Sequence, residues 1–217
     1  LVEQLRVLQV GFRNLFGDKR DYIRGFGYQG GASREGWARE VAELNIGGEF
    51  KDALCEPGQW SMGIGAFGEM LPYYENRVFI DKSKKDKWGQ PVLAIDCELK
   101  ENEKKMRVDM VNDAAEMLEV AGFKKINTYD NGSFPGMAIH EMGTARMGRD
   151  PKTSVLNRWN QMHDVPNVFV TDGSCMTSAA CQNPSLTYMA LTARAADFAV
   201  SELKKGNQRP VPSMPCT

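Results

Sequence analysis

His140 is the residue of this 217-residue sequence best suited to acid–base chemistry. It precedes Met142, Gly143 and Thr144 in a stretch without regular periodicity, where glycine permits backbone geometry that other residues avoid. Catalytic side chains concentrate in such loops, and an imidazole can accept a proton near neutral pH. The other histidine, His163, precedes a short apolar run and is predicted to lie at the surface or in packing.

A second candidate element lies further along the chain. Asp172 and Gly173 follow a short apolar run, and Asn183 and Pro184 open a helical pattern with Asn183 near the cap. The amides of residues 185–187 would be free at that helix start, which favours an electron-rich or anionic group. A plain strand-to-helix connection with a good cap explains the same residues, so the pattern alone does not name a ligand.

Other patterns in the chain point away from nucleotides, nucleic acids and membranes. Residues 25–30 and 63–68 both match GxGxxG, but charged residues precede the first, and the second leads towards a strand pattern. We therefore expect strand ends or bulges at both. The lysine-rich stretch 81–90 is predicted to be a solvated hairpin tip. The net charge of −1 gives no footprint for nucleic acid, and no apolar run reaches the ~18 residues of a membrane span.

The cysteines indicate free thiols. Their odd number and irregular spacing argue against a disulfide framework, and the absence of CxxC argues against a zinc site. We expect buried, unreactive thiols at these positions: Cys55, Cys97, Cys175, Cys181 and Cys216.

The periodicity predicts helices and strands that would position these residues. Helices are expected at residues 1–16, from Ser33 to Gly47-Gly48, at 102–121 with Asn102 as cap, and at 184–203. Strands are expected at 21–28, 69–80, 92–99 and 167–172, whereas 57–68, 149–166 and 173–182 are expected to be loops. Met106, Met110, Ala114, Leu118 and Ala121 form the predicted buried stripe of the third helix.

Residues 140–203 resemble the C-terminal portion of the glucose–methanol–choline (GMC) family of flavin-dependent oxidoreductases. The resemblance rests on ordered blocks: His140-x-Met-Gly-Thr-x-Arg-Met-Gly148, Asp150-Pro151, Ser154-Val155, Asn167-Val-x-Val170, Asp172-Gly-Ser174, Asn183-Pro-Ser-Leu-Thr187, Met189-Ala190 and Arg194-Ala-Ala196. Residues 68–91 are similar to the substrate-domain sheet of that family, and residues 1–65 match only weakly.

The resemblance implies a role for each segment. His140 would take the alcohol proton while hydride passes to flavin N5, and Asn183 would hydrogen-bond the substrate oxygen. The implied flavin-facing residues are Asp172, Gly173, Asn183, Pro184, Ser185 and Thr187. The implied substrates are small alcohols, sugars or polyols, and the implied cofactor is FAD. Asn183 stands where family members carry His or Asn, so acid–base work would fall on His140. Glu141 stands where proline is common, so the loop after the histidine is expected to differ from that of the family.

The resemblance also implies an α+β fold, with an antiparallel or mixed sheet backed by helices. We expect a substrate-binding domain at 1–138, a catalytic and flavin-facing segment at 139–206 and a flexible tail at 207–217. Family members carry an FAD-binding GxGxxG unit near the N-terminus, which this sequence does not show, so we expect these residues alone to bind FAD poorly and to need that domain as a partner. A flavin-containing hydroxynitrile-type lyase and an inactive isolated domain stay open, as do the electron acceptor, the oligomeric state and a cytoplasmic or periplasmic location.

Overall fold

The computed structural model describes residues 4–6, 19–34, 47–55, 58–137 and 140–206. Its strands are β1 (Gln4–Arg6), β2 (Phe26–Arg34), β3 (Trp60–Gly68), β4 (Arg77–Lys85) and β5 (Pro91–Asp96). Its helices are α1 (Gly48–Cys55), α2 (Glu101–Val120) and α3 (Ser185–Lys204), with a short 3-10 helix at Gly173–Cys175. The predicted α+β class is confirmed. Within the described ranges, no helix combines the length and apolar character that crossing a bilayer requires.

The five strands form two antiparallel sheets. One has the order β1-β2-β3, and the other pairs β4 with β5. The β2–β3 ladder runs without a break from Phe26 opposite Gly68 to Arg34 opposite Trp60. Apart from Gly25, both GxGxxG matches lie in this ladder, so neither opens a helix towards a pyrophosphate. The expected bulges are absent, because the pairing is regular along both matches.

The hydrophobic core lies where α2 packs against β2 and β3. Its buried residues are Tyr22, Phe26, Tyr28 and Met106, and its half-buried neighbours are Ile64, Ala66, Met110, Ala114 and Met117. The Tyr28 hydroxyl donates to the Met110 carbonyl at 2.8 Å, and the Tyr22 hydroxyl donates to Asp109 at 2.7 Å. These bonds satisfy the polar ends of two aromatic rings that fix the helix on the sheet.

The two long helices confirm the sequence prediction, although their ends differ. α2 begins at Glu101 after Lys100, whose backbone N–H donates to the Glu103 carboxylate at 3.0 Å. Asn102 does not cap the helix; its side chain instead pairs with both backbone groups of Ile23. Met106, Met110 and Ala114 of the predicted stripe face the core as expected, whereas Ala121 is exposed.

Several predictions near the N-terminus are wrong. Residues Gln4–Arg6 pair with β2 as a strand, because an open sheet edge outweighs the weak helical preference of so short a stretch; the other residues of the predicted 1–16 helix lie outside the described part. Ser33 lies inside β2 and caps no helix, and the residues that followed it in the prediction, 35–46, lie outside the described ranges. Gly48 begins α1, where a helix was expected to end.

The predicted boundaries of three other segments also change. β3 occupies most of the predicted loop at 57–68, because Met62, Ile64 and Ala66 alternate with glycines and face the core side. The predicted strand at 69–80 starts only at Arg77. No strand forms at 167–172; Phe169 makes only an isolated bridge to Gln161.

Candidate functional site

His140 is half-buried and opens an irregular segment that is held against a second segment by backbone hydrogen bonds. Ala145 N–H donates to the Ser174 carbonyl and Met147 N–H to the Cys175 carbonyl, each at 2.9 Å. Between them and His140, Gly143 adopts a φ of +88°, which side chains disfavour. The predicted glycine geometry after His140 is therefore present, and it turns the His140 loop towards residues 174–177.

The turn at Asp172 begins the 3-10 helix. The exposed Asp172 carboxylate accepts hydrogen bonds from the Ser174 N–H at 2.9 Å and from the Ser174 hydroxyl. Gly173 follows, and it is buried. An added Cβ at Gly173 would lie 2.8 Å from the Glu141 carbonyl oxygen, 2.8 Å from the Tyr188 hydroxyl and 3.1 Å from Met142 Sδ. Gly173 is thus the point where the His140 loop, the Asp172 turn and α3 meet.

The start of α3 differs by one residue from the prediction. Pro184 is the cap residue and Ser185 is the first residue of the helix, so Asn183 precedes the cap. The Pro184 carbonyl accepts the Tyr188 N–H at 3.1 Å, the first intrahelical bond, so the amides of 185–187 precede that ladder. Asn183, Ser185 and Thr187 are exposed and Pro184 is buried. Within the described part of the chain, no hydrogen bond joins His140 to Asn183.

Tyr188 is a contact residue that the sequence reasoning missed. Its hydroxyl donates to Met142 Sδ at 3.6 Å and reaches the Gly173 position, so it links α3 to the His140 loop. Burial, then the charges of Asp172, Cys175 and Glu141, raises the pKa of Tyr188. The sequence pattern that could have indicated Tyr188 is its spacing, because it follows Pro184 by one helical turn and shares a helix face with it.

A buried polar group, Asn160, links the segment that precedes the Asp172 turn to α3. Asn160 is fully buried at a φ of +61°, and its amide donates to the Val170 carbonyl at 3.0 Å. Its oxygen accepts a hydrogen bond from Arg194 of α3 at 3.2 Å. The sequence signal was slight, because asparagine is simply one of the few side chains that tolerate this backbone conformation.

The expectation of buried free thiols is confirmed for Cys175 and Cys181, whereas Cys97 is free but only half-buried. Burial raises the pKa of Cys175 and of Cys97, which disfavours the reactive thiolate. The side chains of Cys55 and Cys216 lie outside the described part. Among the described residues, no cluster of histidine, cysteine and carboxylate side chains could hold a metal ion.

Comparison with known proteins identifies the family. The sequence model of the GMC oxidoreductase family matches residues 72–192, more than half of the chain, and the chain belongs to this family. It is 40% identical to the 2-methyl-1,2-propanediol dehydrogenase of Mycolicibacterium austroafricanum over 136 residues, which are 61% of this chain and 24% of that protein.

Two further relatives cover more of the chain at lower identity. The gluconate 2-dehydrogenase flavoprotein of Pantoea cypripedii is 32% identical over 68% of this chain and 25% of its own length. The fructose dehydrogenase large subunit of Gluconobacter japonicus is 30% identical over 74% of this chain and 29% of its own length. The chain therefore spans about a quarter of the length of these curated relatives.

Proposed function

We propose that this chain is part of an FAD-dependent oxidoreductase that oxidises the CH–OH group of a small alcohol, polyol or sugar. The observation that carries the proposal is the junction at Gly173, where the loop of His140 and the start of α3 are packed together. Membership of the GMC oxidoreductase family supports it, and so do the names of the three relatives, which are a diol, a sugar-acid and a sugar dehydrogenase.

The residues at the start of α3 fit a flavin. α3 is 20 residues long, and its first three amides lie ahead of its own hydrogen-bond ladder. Such a helix end stabilises negative charge, and a flavin gains negative charge when it is reduced. Exposed Ser185 and Thr187 leave this end open to a ligand, while the buried Pro184 fixes its position. Asp172 and Gly173 would form the wall of the flavin site next to this helix end.

A bound flavin would supply a hydride acceptor at its N5 atom, which no side chain offers. His140 would take the hydroxyl proton of the alcohol substrate when its carbinol carbon is oxidised. The Asn183 amide donates a hydrogen bond to the same oxygen and holds it in place. Asn183 has no titratable group, so the proton balance depends on His140 alone.

The test measures flavin bleaching under anaerobic conditions in the protein at its natural length. His140→Gln keeps a polar side chain without a basic nitrogen, and we expect reduction by an alcohol to slow by roughly 10²–10⁴-fold. Asn183→Ala should slow it less, because it removes one hydrogen bond to the oxygen. Trials with a diol, a sugar and a sugar acid would assign the substrate class.

His163→Gln is the matched control, because His163 hydrogen-bonds to Ser154 and, within the described structure, to none of the proposed site residues. It should leave bleaching unchanged. If His140→Gln also bleaches at the original rate, His140 is not the base. If no alcohol bleaches the flavin while a hydroxynitrile is cleaved, the lyase alternative replaces the oxidoreductase.

A further inference from the structure

A cavity of about 590 Å³, wide open to solvent, lies between α3 and the segment that follows the His140 loop. Among the residues that the structure describes, its polar lining holds three arginines and no carboxylate; the polar lining residues are Arg149, Arg158, Arg194, His163 and Asn157. Cavities of roughly 300–1,000 Å³ are the size that small ligands occupy. We propose that this cavity is a binding site for a small anion that carries carboxylate or phosphate groups. The proposal does not depend on the flavin chemistry at His140.

Hydrogen bonds orient the Arg194 guanidinium and leave some of its donors for such an anion. Its Nη2 donates to the buried Asn160 oxygen at 3.2 Å and to Met147 Sδ at 3.6 Å. Asn160 is itself fixed by its bond to Val170. A guanidinium group has five N–H donors, and the remaining ones make no hydrogen bond within the described structure. One edge of the group is therefore anchored, and the other donors are available to an oxyanion.

The other two arginines have no acidic partner within the described part of the chain. None of the ion pairs among the described residues includes Arg149, Arg158 or Arg194. Three like charges around one cavity repel one another, and an anion would relieve that repulsion. Guanidinium groups also match carboxylate and phosphate oxygens in pairs, which gives geometric selectivity for these anions over halides.

His163 contributes a polar wall that is fixed by its neighbours. The Ser154 hydroxyl donates to the Asp150 carbonyl at 2.7 Å, so its one hydrogen is used there. His163 Nε2 lies 3.1 Å from that hydroxyl oxygen and therefore donates to it. This contact fixes the imidazole plane at the side of the cavity.

The aromatic residue in the cavity narrows the ligand class. Trp159 stacks on Phe198 with ring centres 4.8 Å apart, and the Arg158 guanidinium also packs on the Trp159 ring, 4.8 Å from its centre. The indole is thus already engaged and offers no open platform for a base or another ring. The remaining apolar lining is aliphatic, from Met147 and Leu191. We infer a compact aliphatic or inorganic polyanion rather than an aromatic nucleotide.

The test is calorimetric titration of the protein at its natural length with citrate and, separately, with inorganic pyrophosphate at constant ionic strength. We expect at least one probe to bind at a single site. The double variant R149Q/R158Q should weaken that binding at least tenfold, which is about 1.4 kcal/mol. The probe that binds more tightly identifies the ligand group as carboxylate or phosphate.

K152Q is the matched control, because Lys152 is an exposed cation in the same loop that does not line the cavity. It should leave the affinity unchanged. Equal weakening in K152Q would mean diffuse electrostatic attraction and would overturn the proposal. Absence of binding by both probes would overturn it as well. Flavin bleaching measured in parallel separates this outcome from failure at His140.

Discussion

The substitution Gly173→Ala tests the junction that joins the His140 loop to α3. The added methyl group would lie 2.8 Å from both the Glu141 carbonyl oxygen and the Tyr188 hydroxyl, whereas ordinary contact begins at 3.4 Å. Each neighbour would have to retreat by about 0.6 Å to reach that distance. The carbonyl belongs to the residue directly after His140, so the retreat would be transmitted to the imidazole.

We expect two measurable effects from this displacement. Overpacking of this kind costs roughly 1–3 kcal/mol of unfolding free energy. A shift of the order of 1 Å at a reacting group can cost about 10²-fold in rate, so a shift of about half that size should slow alcohol-dependent flavin reduction by roughly tenfold or more. The assays are thermal unfolding and anaerobic stopped-flow flavin bleaching in the protein at its natural length.

Gly63→Ala is the matched control for the added methyl group. Nothing lies within 4 Å of a Cβ at Gly63, and its backbone conformation is ordinary for a strand. That variant should keep its activity and gain slightly in stability, because alanine loses less entropy than glycine on folding. If Gly173→Ala matches Gly63→Ala in both assays, the junction does not set the position of His140.

Three further predictions concern groups that stabilise the fold. Glu103→Gln should lower the unfolding free energy by about 1–3 kcal/mol, because the buried carboxylate accepts hydrogen bonds from several neighbours. The control is Glu101→Gln at an exposed position of the same helix, which should change that free energy by less than about 0.5 kcal/mol. Chemical denaturation measures both. Burial, and after it the nearby Glu103 carboxylate, raises the pKa of Tyr73 to about 12. The contribution of the Tyr73 hydroxyl to the free energy of unfolding is therefore complete below pH 10 and is lost as the pH rises through 12. Tyr73→Phe should remove a late step from the ultraviolet titration of the tyrosines. Asn160→Ala should cost roughly 1–3 kcal/mol, measured the same way, because it leaves Val170 without its amide partner.

Long periodic segments were predictable from sequence because their signals are local. α2 and α3 each carry 20 residues of helical spacing with recognisable ends. β3 was missed because glycines alternate with its core residues, and glycine usually indicates a loop. Its structure depends on the long ladder with β2, which is a non-local interaction. The apolar run around Phe169 was read as a strand, but its ring packs on Phe198 without a partner strand.

In the candidate site, too, residues with a local sequence pattern were predictable, and residues that depend on long-range contacts were not. His140 and Gly143 were proposed from residue type and glycine spacing, and the structure places a positive φ at Gly143 as expected. Tyr188 and Asn160 were not found, because their contacts join residues far apart in sequence. Gly173 was chosen for its turn, yet the structure shows that its lack of a side chain matters more. Because Gly173 has no side chain, the His140 loop, the Asp172 turn and α3 can approach one another closely.

The methionine face of α2 has a consequence for the chemical durability of the protein. Met106 is 2% exposed, and its sulfur would lie 2.6 Å from a Cβ at Gly68, so helix and sheet are in direct contact there. Peroxide converts a thioether into a polar sulfoxide, and the two tyrosine hydroxyls of this core, Tyr22 and Tyr28, already donate to Asp109 and to the Met110 carbonyl. Oxidation of Met106 would therefore weaken the packing of α2 on its sheet and lower the free energy of unfolding, without any change to the residues around His140.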